Sequence, residues 1–170
     1  KCWSSLYTTR AIFYRHEKKL LKTRVSVAVV VQAMVQSEIS GICFTVHPVT
    51  EDKNQLLIEA GYGLGEAIVS GSITPDSYVV DKKNSSLLDI NVAEQTRMLA
   101  RAHTSPSPSL KKRGIEGGNK WVAVKKAQAG LQKLSGRQIL ELAETCMAVE
   151  KHYGFPCDIE WAFAKRKFYI

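Results

Sequence analysis

The sequence predicts an α+β fold, a mainly antiparallel sheet with a helix towards each end. Three observations predict it. Short apolar runs, β-branched or alternating, recur between turn residues: VSVAVVVQAMV, GICFTV, QLLIEA and DIEWAFA. Helical periodicity is confined to two stretches, one near each end. The first two apolar runs are separated only by the polar residues 36–40 and read as a hairpin.

The elements follow in order. Trp3, Leu6, Ile12 or Phe13, and Leu20 recur near helical spacing and predict a helix over 2–20. Val25–Val35 is rich in β-branched residues and reads as a buried strand. Gly41–Val46 is a second strand, stopped by Pro48. Gln55–Ala60 is a third and runs into Gly61-Tyr-Gly-Leu-Gly-Glu66, after which AIVSG suggests one or two helical turns. Ser77–Asp81 and Leu87–Val92 are short strands around a turn suited to Asn84. Residues 101–120 are Pro/Ser/Gly-rich and basic, which predicts a mobile surface loop. Trp121–Val124 forms a short strand. Ser135 and Gln138 have capping-box spacing before Ile139, Leu142, Cys146, Val149 and Tyr153, which share one helical face. Gly154 suits the C-cap and Pro156 prevents continuation. Asp158–Ala164 is a strand, and Lys167–Ile170 begins another.

Composition excludes several classes. With 170 residues, 45% hydrophobic and 24% charged, the chain is folded, and its size is that of one domain or one lobe. The longest purely apolar run, Val27–Val31, falls far short of the roughly 20 residues a membrane helix needs. No basic-then-apolar leader follows Lys1, so no secretory signal is expected, and the cysteine usage predicts a cytoplasmic protein. Cys2, Cys43, Cys146 and Cys157 show no CxxC spacing, so they read as reduced thiols, neither zinc ligands nor a disulfide framework. None of the four histidines stands in a recognisable catalytic setting.

The net charge of +8 is uneven. Residues 1–26 and 101–126 each carry seven Lys/Arg and one acid, and the remainder is net acidic. The N-terminal stretch interleaves Trp3, Tyr7, Phe13 and Tyr14 with basic residues, as a nucleic-acid surface would. A helix with its aromatics in a core and a solvated basic face explains the same pattern, and nucleic acid is not the expected partner.

Three segments could carry chemistry. Asp158 and Glu160 are i and i+2 on a strand, so both carboxylates project from one face while Ile159, Trp161 and Phe163 point into a core. That makes a platform for Mg²⁺ and a nucleotide, or else the solvated face of an edge strand. In GYGLGE, alternate glycines either let backbone N–H groups approach a phosphate or mark a tight turn. It is neither a Rossmann fingerprint nor a P-loop. Gln32, Met34 and Val35 close the first strand, where backbone groups and a soft side chain could meet a purine.

Taken in order, CWSSLYTTRAIFYR, VAVVVQAMVQSEISGICFTVHP, LLIEAGYGLGEAIVSGSITPDSYVV and ILELAETCMAVEKHYGFPCDIEWAF resemble one family. It is the ATP-binding domain of the phosphoenolpyruvate synthase and pyruvate phosphate dikinase family, shared with rifampicin phosphotransferase. The resemblance spans the chain except about residues 95–135. It implies a second lobe of an ATP-grasp fold over 1–170, truncated at both ends, with SPSPSLKKRGIEGG as an insertion. It implies ATP and Mg²⁺ as cofactors, with Asp158 and Glu160 matching the family's metal-facing Asp-Ile-Glu. Glu66 matches the nucleotide-facing acid after the Gly-rich turn, and Thr45 the Phe-Thr step beside the phosphates. Gln32, Met34 and Val35 match the adenine-lining segment. The implied reaction passes phosphate from ATP to a histidine on a swivelling domain and then to pyruvate. The first lobe, that histidine domain and the pyruvate-binding barrel are the expected partners, and without them the chain is expected to be inactive.

Overall fold

The computed structural model describes residues 2–101 and 118–170. The chain divides into two units, Lys1–Met34 and Val35–Ile170.

In the first unit, a 3₁₀ turn spans Trp3–Tyr7 and helix α1 spans Thr9–Glu17. The predicted helix over 2–20 is therefore broken. Thr8 takes an extended conformation, and its hydroxyl caps α1 by accepting from the Ala11 N–H. The aromatics expected in a core are exposed: Trp3, Tyr7, Phe13 and Tyr14 all face out. The strand expected over Val25–Val35 is absent. Val30 and Val31 are 82% and 93% exposed, so this β-branched run has no sheet to pack into. Strand propensity is largely a packing preference, which explains why it fails here.

The second unit holds strands β1 (Ile39–Phe44), β2 (Gln55–Tyr62), β3 (Asp76–Asp81), β4 (Ser86–Asn91), β5 (Arg97–Arg101), β6 (Asn119–Ala123), β7 (Asp158–Ala164) and β8 (Lys167–Tyr169). Its helices are α2 (Glu66–Val69), α3 (Lys126–Ala129) and α4 (Gly136–Tyr153). Six strands form one antiparallel sheet in the order β4-β3-β2-β1-β7-β8, and β5 and β6 pair as a separate antiparallel ribbon. β1 is paired with β2 and β7, so the hairpin expected between residues 25–35 and 41–46 does not form. Of the segment read as a loop, Arg101 closes β5 while Asn119 and Lys120 open β6; its residues 102–117 lie outside the described residues.

Alternation decides the faces. Cys43, Leu56, Ile58, Ala60, Tyr78, Val80, Ile159 and Trp161 point to one side and meet Ile139, Leu142, Ala143 and Cys146 of α4. Burying a residue such as Leu142 contributes about 2 kcal/mol. The capping box forms as the spacing predicts: Ser135 Oγ accepts from Gln138 N–H, and the Gln138 side chain returns to the Ser135 N–H. Gly154, at φ +77°, closes α4 by donating to Glu150 O at 2.8 Å. Tyr153 departs from the predicted face and is 60% exposed. Among the described residues, no helix is long and apolar enough to cross a membrane.

Candidate functional site

The site is built on the sheet face turned away from α4. Ile159 and Trp161 anchor β7 in the core, which leaves Asp158 and Glu160 exposed on the other side. Strand rise sets their Cα atoms about 7 Å apart. Asp158 lies opposite Phe44 of β1, and Glu160 opposite Ile42. Among the described residues, neither carboxylate has a hydrogen-bond or ion-pair partner. The start of β7 is fixed by Thr45, which is fully buried. Its N–H donates to Cys157 O at 3.0 Å, and its hydroxyl accepts from the Cys157 N–H at 2.8 Å. Thr45 thus clamps the residue before Asp158, a part that no sequence motif announces.

A third carboxylate shares this face. Glu59 of β2 pairs with Ile42, so Ile42 has Glu160 on one side and Glu59 on the other. Burial pushes the Glu59 carboxyl above the ordinary carboxylate range. A carboxyl whose pKa is raised by folding is harmless while protonated at low pH and weakens the fold as pH rises through its folded value. Glu59→Gln is therefore expected to raise the melting temperature at about pH 7 and to leave it unchanged at about pH 3. Thermal scans at both pH values check this, and an equal shift at the two would refute it. The alternation in QLLIEA was the signal that could have found Glu59.

The Gly-rich turn uses three of its backbone donors internally, as the tight-turn reading expects. The Tyr62 N–H donates to Gln95 Oε1, the Gly63 N–H to Glu38 O, and the Leu64 N–H to Leu99 O. Those donors are spent within the protein. Gly63 is required by its conformation, φ +90°, and by the Leu99 carbonyl, which would lie 2.4 Å from an added Cβ. Its own carbonyl accepts from both Ser37 Oγ and Ser40 Oγ, at 2.8 and 2.6 Å. Glu66 opens α2, and its Oε2 accepts from Asn119 Nδ2 at 2.7 Å.

The predicted residues are spread over several elements and both units. Asp158 and Glu160 stand side by side, and Thr45 touches the residue next to them. Glu66 belongs to a different element. Gln32 and Met34 lie in the first unit, exposed and in irregular backbone, while half-buried Val35 begins the second.

The donor set is chemically coherent. Two unpartnered carboxylates suit a hard cation, and Mg²⁺ is held by one or two carboxylates plus substrate phosphates and water. Among the described residues, no group of three or more His, Cys, Asp or Glu is placed to hold a metal alone. The pair could therefore supply only part of a coordination shell, with phosphate oxygens and water supplying the rest. The chain belongs to the family described as the pyruvate phosphate dikinase AMP/ATP-binding domain. That family's profile matches residues 1–170, and its fold is ATP-grasp-like.

Individual relatives agree. A Methanocaldococcus jannaschii protein named "Probable phosphoenolpyruvate synthase" is 42% identical over 170 residues, 100% of this chain and 13% of that protein. The phosphoenolpyruvate synthase of Pyrococcus furiosus is 40% identical over 166 residues, 97% of this chain and 20% of that protein. The rifampicin phosphotransferase of Bacillus subtilis is 38% identical over 170 residues, 100% of this chain and 18% of that protein. The chain therefore spans about a fifth or less of these three relatives. The family profile and two of these matches also run through the stretch near 95–135 that the four sequence blocks left out.

Proposed function

We propose that the chain is the ATP-binding part of a cytoplasmic phosphoenolpyruvate synthase-like enzyme. In that reaction ATP, pyruvate and water give phosphoenolpyruvate, AMP and phosphate through a phosphohistidine carried on another domain. The observation that carries the reading is the pair Asp158 and Glu160, exposed and unpartnered on a rigid strand. Mg²⁺, when bound, neutralises phosphate charge. Asp158 and Glu160 hold it, and their fixed spacing orients the phosphates without covalent work by this lobe. After the family resemblance, Gln32, Met34 and Val35 are assigned to adenine contact. Glu66 faces the nucleotide, and Thr45 supports the phosphate side.

The acceptor in this reading is pyruvate, after the relatives named as synthases. The rifampicin phosphotransferase relative supports a second reading, in which a drug hydroxyl takes the phosphate. Calorimetry of ATP binding with and without Mg²⁺ tests the site. Glu160→Ala is expected to weaken Mg–ATP binding at least about tenfold, the scale of one lost charged contact. Chelating the metal is expected to weaken the wild type comparably. Equal affinity of wild type and Glu160→Ala would remove Glu160 from the site.

A further inference from the structure

We propose that the β5–β6 ribbon is the device that aims Glu66, and that Asn119 is its positioning residue. This deepens the nucleotide reading above and rests on it. Beyond Tyr62 the β1 side still holds Gly63, through Glu38 O and the Ser40 hydroxyl, but the opposite side of the turn has no neighbour in the main sheet's ladder. The segment from Gln95 through β5 takes over. Gln95 is 2% exposed, and its side-chain amide acts as a surrogate peptide group. Oε1 accepts the Tyr62 N–H at 2.8 Å, while Nε2 donates to Tyr62 O and Arg97 O, each at 3.0 Å. Two residues on, the Leu64 N–H reaches Leu99 O at 2.8 Å, and Gly63 bridges Leu99 in parallel. Leu99 then packs with Leu64 and Ala67 into a small second core. The turn and the start of α2 are therefore seated on β5.

The other strand of the ribbon completes the arrangement. Asn119 lies opposite Arg101 in the β5–β6 register. Its Nδ2 donates to Glu66 Oε2 at 2.7 Å. The orientation of this carboxylate is set by the ribbon. The hydrogen bond is exposed and crosses 53 residues of sequence, so it contributes little to folding while fixing where one oxygen points.

The test is a double-mutant cycle on Mg–ATP affinity in the full chain, read by calorimetry with melting temperatures alongside. Asn119→Ala is expected to weaken Mg–ATP binding about three- to tenfold, the range for one hydrogen bond, with an unchanged melting temperature. Asn119→Asp is expected to weaken it further, because a second carboxylate repels Glu66. In the Glu66→Ala background, Asn119→Ala is expected to add no further loss. Wild-type affinity in Asn119→Ala, or a loss that multiplies with that of Glu66→Ala, would overturn the positioning role alone. Absence of Mg–ATP binding by the wild type would overturn the nucleotide reading, and this inference with it.

Discussion

Asp76→Ala is expected to destabilise the protein by about 3–5 kcal/mol, the scale for stranding one partner of a buried ion pair. Asp76 and Lys133 have fully buried side chains, and Lys133 Nζ donates to Asp76 Oδ1 at 2.8 Å. The aspartate does more than pair. Oδ1 also accepts the Ala93 N–H at 3.0 Å, while Oδ2 accepts the Tyr78 hydroxyl at 2.7 Å and the Lys133 N–H at 2.9 Å. Lys133 in turn donates to Ala93 O and stacks over the Tyr62 ring. Burial, followed by the Asp76 hydrogen bond, pushes the Tyr78 phenol well above its ordinary pKa, so it remains a donor. Removing Asp76 leaves an ammonium in the core with one carbonyl and a ring face. Urea unfolding checks this through a lower midpoint at unchanged slope. Asp76→Leu combined with Lys133→Met is expected to recover much of the loss, because no unpaired charge is then buried. A single-variant loss below about 1 kcal/mol would show that water reaches Lys133.

Gly41→Ala is expected to cost at least about 3 kcal/mol, the upper range for overpacking. A Cβ at residue 41 would lie 1.7 Å from Glu59 O and 2.7 Å from Cζ2 of Trp161. The first obstacle is the backbone of β2 and the second is a core indole only 3% exposed, so neither has room to yield. Relief would require β1 to move from both neighbours at once. Because Ile42, next in the chain, faces Glu160, the same shift would disturb the carboxylate pair. The check is a urea midpoint together with Mg–ATP affinity in the surviving folded fraction. A Gly41→Ala protein of wild-type stability would show that the strands are looser than this packing implies.

Much of the fold was legible because local signals agreed with the tertiary ones. α4 announced itself through Ser135 and Gln138 and a periodic apolar face, and β7 through strict alternation from Asp158 to Trp161. The failures have physical causes. Val25–Val35 has strong β propensity, but propensity supplies no partner strand, and the order of the sheet is set by pairings far apart in sequence. β5 is five residues with only Met98 and Leu99 to mark it, and α3 is a single turn. Of the candidate site, spacing alone placed the two carboxylates on one face of a strand, while their assignment to a metal rested on the family resemblance. Asp76–Lys133, Gln95–Tyr62 and Asn119–Glu66 could not be read from spacing, because each joins residues 33 to 57 apart and no local pattern encodes such a meeting.

The position of β7 also has a consequence for how the chain is made. β1 is complete by residue 44, yet one of its edges waits for residues 158–163. During synthesis that edge presents unpaired N–H and C=O groups until residues 158–163 have emerged, more than a hundred residues later, and such an edge recruits strands from other chains. The strand bearing Asp158 and Glu160 is therefore also the one that ends this exposure. A lesion that delays its arrival is expected to appear first as insoluble protein, before any loss of ligand affinity can be measured.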